Sequence, residues 1–519
     1  MPRIFVVNVQ GTVFFREGRH ALANVKRTER RVCSGLLKPV CIPSRRVKNS
    51  RKNMPTSPAP LSDEPLSLSI RSSREAALRV LEEHRASGMW VGDLLDRVFR
   101  ESGLPPKERG LATELACGVV RRQSTLDALL KTLIARPSDQ VEISLWTILR
   151  LGVYQILFLD GIPAHAAVHE TVELCKRAGR MRWSGFVNGV LRGATRLTTD
   201  EYLLEPSESA VPVSNDRHRK LTKPVFFNPS SDLPAYLASA YSMPLWLAER
   251  WVKRFEPAQL MRMCNWFNAS PPLTIRANLL QSSTEEVMRN FQDAGIEIHL
   301  QGDSDTMIVI GVSRVDQLPG YDQGQFFVQD FSAGHAATRL APEPGQRVWD
   351  VCAAPGGKTC HLAAIMKNEG EILATDIRSD RLEIVHDNAQ RLGAKIIRTQ
   401  LVDEEGYRLP SGPFDAILVD VPCSNTGVLG KRPEARWRIT PDGIDSLTSI
   451  QANLLGRALE RLAPKGRLVY STCSIEPGEN QEIVRKVMTH FPNVRLAEEQ
   501  QFLPGEPGDG AYQALLVRR

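Results

Sequence analysis

The sequence predicts a multidomain chain: an all-α domain, then a small α+β module, then an α/β domain built on a mostly parallel, nucleotide-binding type of sheet. Three observations carry this. Across residues 71–196 apolar positions recur at helical spacing, segment after segment, with few β-branched runs. From about 234 to 330, helical stretches alternate with short strand-like runs. Beyond 331, apolar runs end repeatedly in a Gly-rich turn, an acid or a cysteine, the residue types that open α/β sheets present to ligands at the carboxyl ends of their strands.

A length of 519 residues accommodates two to four domains, and 42% hydrophobic content is that of ordinary globular protein. No apolar run reaches the roughly 18–20 residues needed to span a bilayer, so a soluble chain with no membrane partner is expected. Nine cysteines without a Cys-x-x-Cys pair argue against a zinc site and against a disulfide framework. That points to free thiols, no metal, and a reducing compartment, the cytoplasm. The formal charge of +7 invites a nucleic-acid reading, but residues 1–53 alone carry 13 Lys and Arg against Glu17 and Glu29, which leaves the rest of the chain net negative. Any nucleic-acid site in the body must therefore be a local basic patch.

Residues 1–70 show no sustained period, and Met54 to Pro65 is rich in Pro and Ser, so a disordered tail is expected. Three readings stay open for it: an Arg-rich targeting segment, a basic RNA-binding arm, or translation that starts at Met54. Six or seven helices are expected over 71–196. Leu145, Ile148, Leu149, Val153, Ile156 and Leu157 mark one buried face, while Pro105-Pro106, Pro137 and Gly161-Ile162-Pro163 punctuate the series. Residues 197–233 are polar, with Pro and Ser, and read as a linker. In the module over 234–330, helices are expected at Leu237 to Phe255 and Thr284 to Ala294. Strands are expected at Leu273 to Ala277 and Met307 to Ile310. Gly324 to Asp330 leads into the last domain, 331–519, without a flexible break, so the module should pack against it and wall a substrate cleft.

That last domain turns on Trp349-Asp350-Val351-Cys352-Ala353-Ala354-Pro355-Gly356-Gly357-Lys358-Thr359, which reads as strand, Gly-rich turn, helix. Gly356 and Gly357 lack a Cβ and let the backbone approach a ligand closely, with the helix-start N–H groups pointing at it. A second strand, Glu371 to Asp376, ends in an acid placed where nucleotide-binding units meet ribose hydroxyls. A third, Phe414 to Asp420, continues into Val421-Pro422-Cys423-Ser424. A fourth, Gly466 to Thr472, ends at Cys473. A cysteine at a strand end is usually a small buried hydrophobe; two of them at neighbouring strand ends point to chemistry. Cys352 and Cys360 flank the turn and read as packing.

With these motifs, Thr426-Gly427-Val428, Arg436-Trp437 and Glu479-Asn480, the chain resembles the RNA cytosine-5 methyltransferases of the Sun/NOL/NOP family. It is most similar to the bacterial branch acting on 16S ribosomal RNA. Asp96 to Phe99, Arg109 to Ala112, Ala164 to Glu170 and Gly185 to Arg192 resemble the NusB antitermination domain. The likeness covers 71–519. It departs at Lys431-Arg432-Pro433, where the family often has two basic residues, His and Pro, and before Asp403, where a Gly is often found.

The resemblance implies a NusB-like RNA-binding domain, the α+β module and a Rossmann-like, S-adenosylmethionine-dependent methyltransferase domain. It implies 16S ribosomal RNA as partner and a monomer. C5 of cytosine is a poor nucleophile; a thiolate adding to C6 makes C5 an enamine carbon able to take a methyl group, and loss of the C5 proton then frees the thiol. By family likeness Cys473 is the nucleophile, Cys423 assists release, and Asp420 faces N3 of the base, sharing its proton in the adduct. The Cys352, Ala353, Ala354, Pro355, Gly356, Gly357, Lys358 turn would cradle the methionine part of the donor, Asp376 the ribose and Asp403 the adenine amino group, with Asp420 at the same site. Lys431, Arg432, Arg436 and Trp437 are expected to hold phosphates and stack on an extruded base. Arg109, Arg121 and Arg122, with Arg97, Lys176, Arg177, Arg180, Arg182 and Arg192, are expected phosphate contacts of the helical domain. Two other readings compete: a non-catalytic RNA-binding or assembly factor, and a nicotinamide-dependent dehydrogenase. The two cysteines speak against the first, and a turn lacking Gly-x-Gly-x-x-Gly speaks against the second.

Overall fold

Seven α-helices follow one another through the first third of the described chain: α1 (Ser73–Ser87), α2 (Val91–Ser102), α3 (Pro106–Arg121), α4 (Gln123–Leu133), α5 (Ile143–Phe158), α6 (Ala164–Cys175) and α7 (Ser184–Leu197). The computed structural model describes residues 70–302, 305–311, 314–403, 408–505 and 507–519; the tail expected over 1–70 lies outside these, Ile70 apart. Local signals set the ends of α1: the Ser72 side chain accepts from Glu75 N, and Gly88 closes the helix with a left-handed φ of 66°. α5 is the centre. Its expected apolar face is buried, but so are Trp146, Leu151, Tyr154 and Gln155 on its other sides, as fits a helix that is hydrophobic all round.

Residues 197–233 are not a flexible linker. They fold into an antiparallel sheet of β1 (Thr198–Leu203), β2 (Ala210–Ser214) and β3 (Arg217–Leu221), in the order β1-β3-β2. Its polar look has a physical cause. The sheet buries Ala210, Val211, His218 and Leu221, while Arg217 and Arg219 lie over the Tyr202 ring at 4.3 and 5.5 Å.

The helix expected over Leu237 to Phe255 is broken. α8 (Leu233–Ala240) and α9 (Leu245–Trp251) are separated by Ser242, at φ 56°, and Pro244. With α10 (Pro257–Asn268), they join the core of the first helices through Tyr236, Leu237, Leu247, Trp251, Leu260 and Phe267. The α+β module itself begins later. It comprises β4 (Leu273–Ala277), α11 (Thr284–Asp293), β5 (Ile298–Leu300), β6 (Thr306–Val309) and β7 (Phe326–Val328), with sheet order β5-β6-β4-β7. It packs on the next domain through Phe327, which shares a core with Leu340, Val348 and Leu362, and through Asn278 Nδ2, 2.8 Å from Leu392 O.

The last domain opens with α12 (Phe331–Leu340), β8 (Arg347–Asp350), α13 (Gly357–Ile365), β9 (Glu371–Asp376), α14 (Ser379–Arg391) and β10 (Ile397–Leu401). It continues with β11 (Phe414–Asp420), α15 (Ala435–Arg438), α16 (Pro441–Glu460), β12 (Leu462–Thr472), α17 (Gln481–Met488), β13 (Val494–Phe502) and β14 (Ala511–Arg518). The seven strands lie in the order β10-β9-β8-β11-β12-β14-β13, the first five parallel and β14 antiparallel to both its neighbours. Among the described residues no helix is long and apolar enough to cross a membrane, and no group of three or more His, Cys, Asp or Glu could hold a metal ion.

The helical and catalytic domains share one interior. Leu429, Ala435 and Ile475 of the catalytic domain belong to the core of the helices. Arg436, fully buried, donates through Nη1 to Arg121 O, Ser242 O and Asn268 Oδ1, and through Nη2 to Phe267 O and Leu429 O, at 2.9–3.3 Å. Arg436→Met keeps the bulk but strips these acceptors of their donor. It should lower the free energy of unfolding by about 3–5 kcal/mol, read as a shift of the urea midpoint; an unshifted midpoint would mean that this joint bears no strain.

Candidate active site

The chain runs outward from β8 through β9 to β10, then returns to lay β11 on the other side of β8, so the sheet reverses direction between β8 and β11. Crevices at such reversals, beyond the carboxyl ends of the strands, are where open α/β sheets bind ligands. The ends of β8, β9, β11 and β12 deliver Asp350, Asp376, Asp420 and Cys473 to this edge, with Asp420 paired to Ser471 across β11 and β12.

The turn after β8 uses its two glycines differently. Gly356 adopts φ 99°, which favours glycine, and turns the chain into α13. A Cβ on Gly357 would lie 2.5 Å from Phe327 Cε1, so this glycine admits a ring of the α+β module rather than opening space to a ligand. Lys358, at the start of α13, places its Nζ 2.7 Å from Asp420 Oδ2. Burial acts to lower the Lys358 pKa, but the charge and hydrogen bond of Asp420 outweigh it and raise it. Asp376 is buried, accepts from Arg378 N at 3.1 Å and lies 3.3 Å from Arg381 Nη1; burial raises its pKa against the pull of Arg381. Arg381 Nη2 also donates to Ala354 O at 2.9 Å, tying the acid to the turn. Asp403 follows on the neighbouring strand end, partly exposed and 3.9 Å from Arg408 Nε.

The two thiols meet. Cys423 Sγ and Cys473 Sγ are 3.0 Å apart. Beneath them the buried Glu479 accepts from Ser424 N at 2.8 Å, Gln451 Nε2 at 3.0 Å, Ser474 Oγ at 2.5 Å and Ser424 Oγ, clasping the Cys423 and Cys473 segments together. Gly427 completes the clasp: its N–H donates to Cys473 O at 3.0 Å, and a Cβ there would lie 2.4 Å from Gly510 O. The thiols differ in charge state. The hydrogen bond from Cys423 holds the Cys473 pKa below that of an ordinary thiol despite burial, helped by Arg432 and Lys358; Cys423 is driven up by that same bond, by burial and by Glu479.

Sequence reasoning gave no role to Glu479, Asn425 or Asp350. Glu479 carried a signal, an acid soon after the second cysteine motif. Asn425, at φ 63°, brings its Oδ1 within 3.3 Å of Cys473 Sγ, which only coordinates reveal. Asp350 is fully buried: its Oδ2 accepts from Thr359 Oγ1 at 2.7 Å and its Oδ1 has no partner.

Around the Cys423 loop, the residues expected to contact RNA are engaged within the protein. Arg436 is fully buried, and Trp437 donates from Nε1 to Val120 O at 3.0 Å. Lys431 is paired with Asp330 at 2.7 Å and Asp509 at 2.9 Å, while Arg432, 8% exposed, donates to Asn425 Oδ1 at 2.8 Å. In the helical domain, Arg121 and Arg122 are buried and donate to Gly430 O and Pro212 O. Arg109 is half-buried, with Nε on Leu104 O at 2.6 Å. The cause is common: these groups satisfy acceptors inside the protein, backbone carbonyls for Arg436, Trp437, Arg121 and Arg122, carboxylates for Lys431 and a side-chain amide for Arg432. Arg177, Arg182 and Arg192 remain exposed.

Burial raises the Asp350 pKa from 3.8 to about 7. A carboxyl raised in the folded state contributes stability that is present below its unfolded value and lost as pH climbs to its folded one. Asp350→Asn, still able to accept from Thr359, should therefore gain stability over the parent between those two pH values and hold a constant advantage above them. Thermal melts across pH read this directly; a gain that does not vary with pH would exclude ionisation of Asp350 as its cause.

Comparison with known proteins agrees with this geometry. Residues 71–196 match the NusB family, 243–314 a ferredoxin-like domain of RsmF/B-like methyltransferases, and 337–513 the 16S rRNA methyltransferase RsmB/F family. The probable ribosomal RNA small subunit methyltransferase B of Synechocystis is 34% identical over 80% of this chain and 89% of its own length. Ribosomal RNA small subunit methyltransferase B of Klebsiella pneumoniae is 32% identical over 86% of this chain and 98% of its own. The crystal structure of PH0851 shares the fold, with TM-score 0.67 at 23% identity over 87% of this chain and all of that one. This chain belongs to the family of the ribosomal RNA small subunit methyltransferases B.

Proposed function

We propose that this chain transfers a methyl group from S-adenosylmethionine to C5 of a cytosine in small-subunit ribosomal RNA, through a transient bond between Cys473 and C6 of the base. The pair of thiols 3.0 Å apart at adjacent strand ends carries this reading. A binding module has no need of either sulfur.

The residues at the β8 and β9 ends fit a cationic, ribose-bearing donor. Asp350 Oδ1 is a buried acceptor without a partner, and Asp376 a second buried acid one strand away. The Cys352–Lys358 turn would hold the methionine part, Asp376 the ribose and Asp403 the adenine amino group. S-adenosylmethionine, when bound, supplies an electrophilic methyl group. Lys358 reaches across to Asp420, tying the donor turn to the acid that faces N3 of the base and shares its proton in the adduct.

Cys473, favoured as thiolate, adds to C6 and leaves C5 nucleophilic. Once its sulfur is a thioether, it no longer carries the charge that raised the Cys423 pKa. The neighbouring thiol then ionises more readily and can take the C5 proton after methyl transfer, expelling Cys473. Both sulfurs must stay reduced, which suits the cytoplasm. Exposed Arg177, Arg182 and Arg192, with the partly exposed Arg109, are the helical domain's candidates for phosphate contacts.

Cys423→Ala, able to attack but slow to release, should accumulate a denaturation-resistant RNA adduct, and Cys473→Ala should form none and lose methylation. Denaturing gels with labelled 16S RNA separate the two. A reversed pattern would exchange the roles of the thiols; methylation surviving in both variants would remove covalent catalysis altogether.

A further inference from the structure

We infer that Cys423 and Cys473 are a redox modification site: hydrogen peroxide joins their sulfurs in a disulfide, which stops methyl transfer reversibly and spares Cys473 from irreversible oxidation. The bond follows from the placement of the two thiols. Its effect on activity rests on the reading of Cys473 as the attacking sulfur.

The two sulfurs are 3.0 Å apart, and a disulfide requires about 2 Å, so about 1 Å of closure remains. The segments that carry them are held together on both sides of the pair. Ahead of it, Val421 N donates to Ser471 O at 3.1 Å, and each of these residues lies two positions before its cysteine. Behind it, Ser424 and Ser474, each directly after its cysteine, have their hydroxyls 3.2 Å apart, and both hydroxyls donate to Glu479. Gly427 N adds a bond of 3.0 Å to Cys473 O. The sulfurs can therefore close without either segment sliding along the other.

The two thiols are unequally placed. Cys473 is partly exposed, while Cys423 is buried, so an oxidant entering the cleft meets Cys473 first. A thiol held below the usual pKa is also the more readily oxidised of the two. The O–O bond of peroxide breaks as the Cys473 sulfur takes one oxygen to become a sulfenic acid, and the other oxygen leaves as water. Cys423 then attacks that sulfur, the S–O bond breaks, and the second oxygen leaves as water with the proton of the Cys423 thiol. Two thiols thus give two electrons and two protons to one peroxide, which becomes two waters. With both sulfurs in the bond, no thiolate is left to add to C6. A dithiol reverses this state by exchange, whereas a sulfinic acid at Cys473 would be lasting.

The test uses the free full-length enzyme, hydrogen peroxide and dithiothreitol, read by methylation of 16S RNA and by peptide mass spectrometry. Peroxide should abolish methylation and dithiothreitol should restore it. The inactive enzyme should carry the Cys423 and Cys473 peptides joined and lighter by two hydrogens, a measurement that needs no variant. In Cys423→Ser, which keeps no resolving thiol, the same treatment should drive Cys473 to sulfinic and sulfonic acids that dithiothreitol does not reverse. Inactivation of the parent with the two peptides unlinked, or Cys473 as resistant to overoxidation in Cys423→Ser as in the parent, overturns the proposal. Failure of the underlying reading looks different: the linked enzyme would methylate RNA as fast as the reduced one.

Discussion

Everything in the site depends on two sulfur atoms being held 3.0 Å apart by segments that leave the sheet separately. Parallel pairing of β11 with β12 sets their starting points, since Asp420 lies beside Ser471, but neither strand reaches the sulfurs. The reach is made by Glu479. Burying a carboxylate is costly unless its oxygens are satisfied, and four donors satisfy this one, drawn from the Ser424 segment, the Ser474 segment and α16. The acid is thus the place where the two cysteine motifs and a helix become one object.

The helical domain belongs to that object. Trp251 Nε1 donates to Glu476 Oε1 at 2.7 Å and Arg254 Nη2 to Ile475 O at 2.6 Å, fixing the segment just beyond Cys473. Val91 N donates to Glu434 at 2.8 Å and Arg121 Nε to Gly430 O at 3.1 Å, fixing the loop just beyond Cys423. Both cysteine segments are therefore anchored at their far ends in the helices. A helical domain tethered only to recruit RNA would not need carbonyl groups satisfied across the joint. Here loosening the helices would loosen the thiols.

The order of domains and the strand ends that meet at the candidate site were legible because they rest on periodicity and on residues whose chemistry is tied to position: a Gly-rich turn, an acid ending a strand, a cysteine after another. The basic residues were not. Arg436 and Arg177 look alike in a sequence, and only packing shows that one fills a cage of carbonyls while the other lies at the surface, 3.1 Å from Glu75. β3 was illegible for a related reason. Arg-His-Arg-Lys-Leu has no apolar alternation to read, and its arginines are accommodated by a tyrosine ring and by the carbonyls of Ile156 and Leu157. Gly357 taught the converse. Its missing Cβ reads in the sequence as room for a ligand, whereas the neighbour that a Cβ would meet is Phe327.

Two thiols in contact have no intrinsic reason to play different roles. The surroundings supply one. Glu479 acts to raise the Cys423 pKa, while on Cys473 Arg432 and Lys358 act against Asp420. A unit charge about 4 Å away is worth on the order of 4 kcal/mol at an effective dielectric of about 20, equivalent to about three units of pKa. Charges at such range are therefore large enough to bias which sulfur ionises. The same field limits how the roles can be exchanged. On the proposed roles, exchanging the sulfurs while keeping the surrounding charges in place would put the thiol proposed to attack on the Glu479 side, the wrong polarity for its ionisation. The division of labour proposed for the two thiols thus depends on Glu479, Asp420, Arg432 and Lys358 as much as on the cysteines themselves.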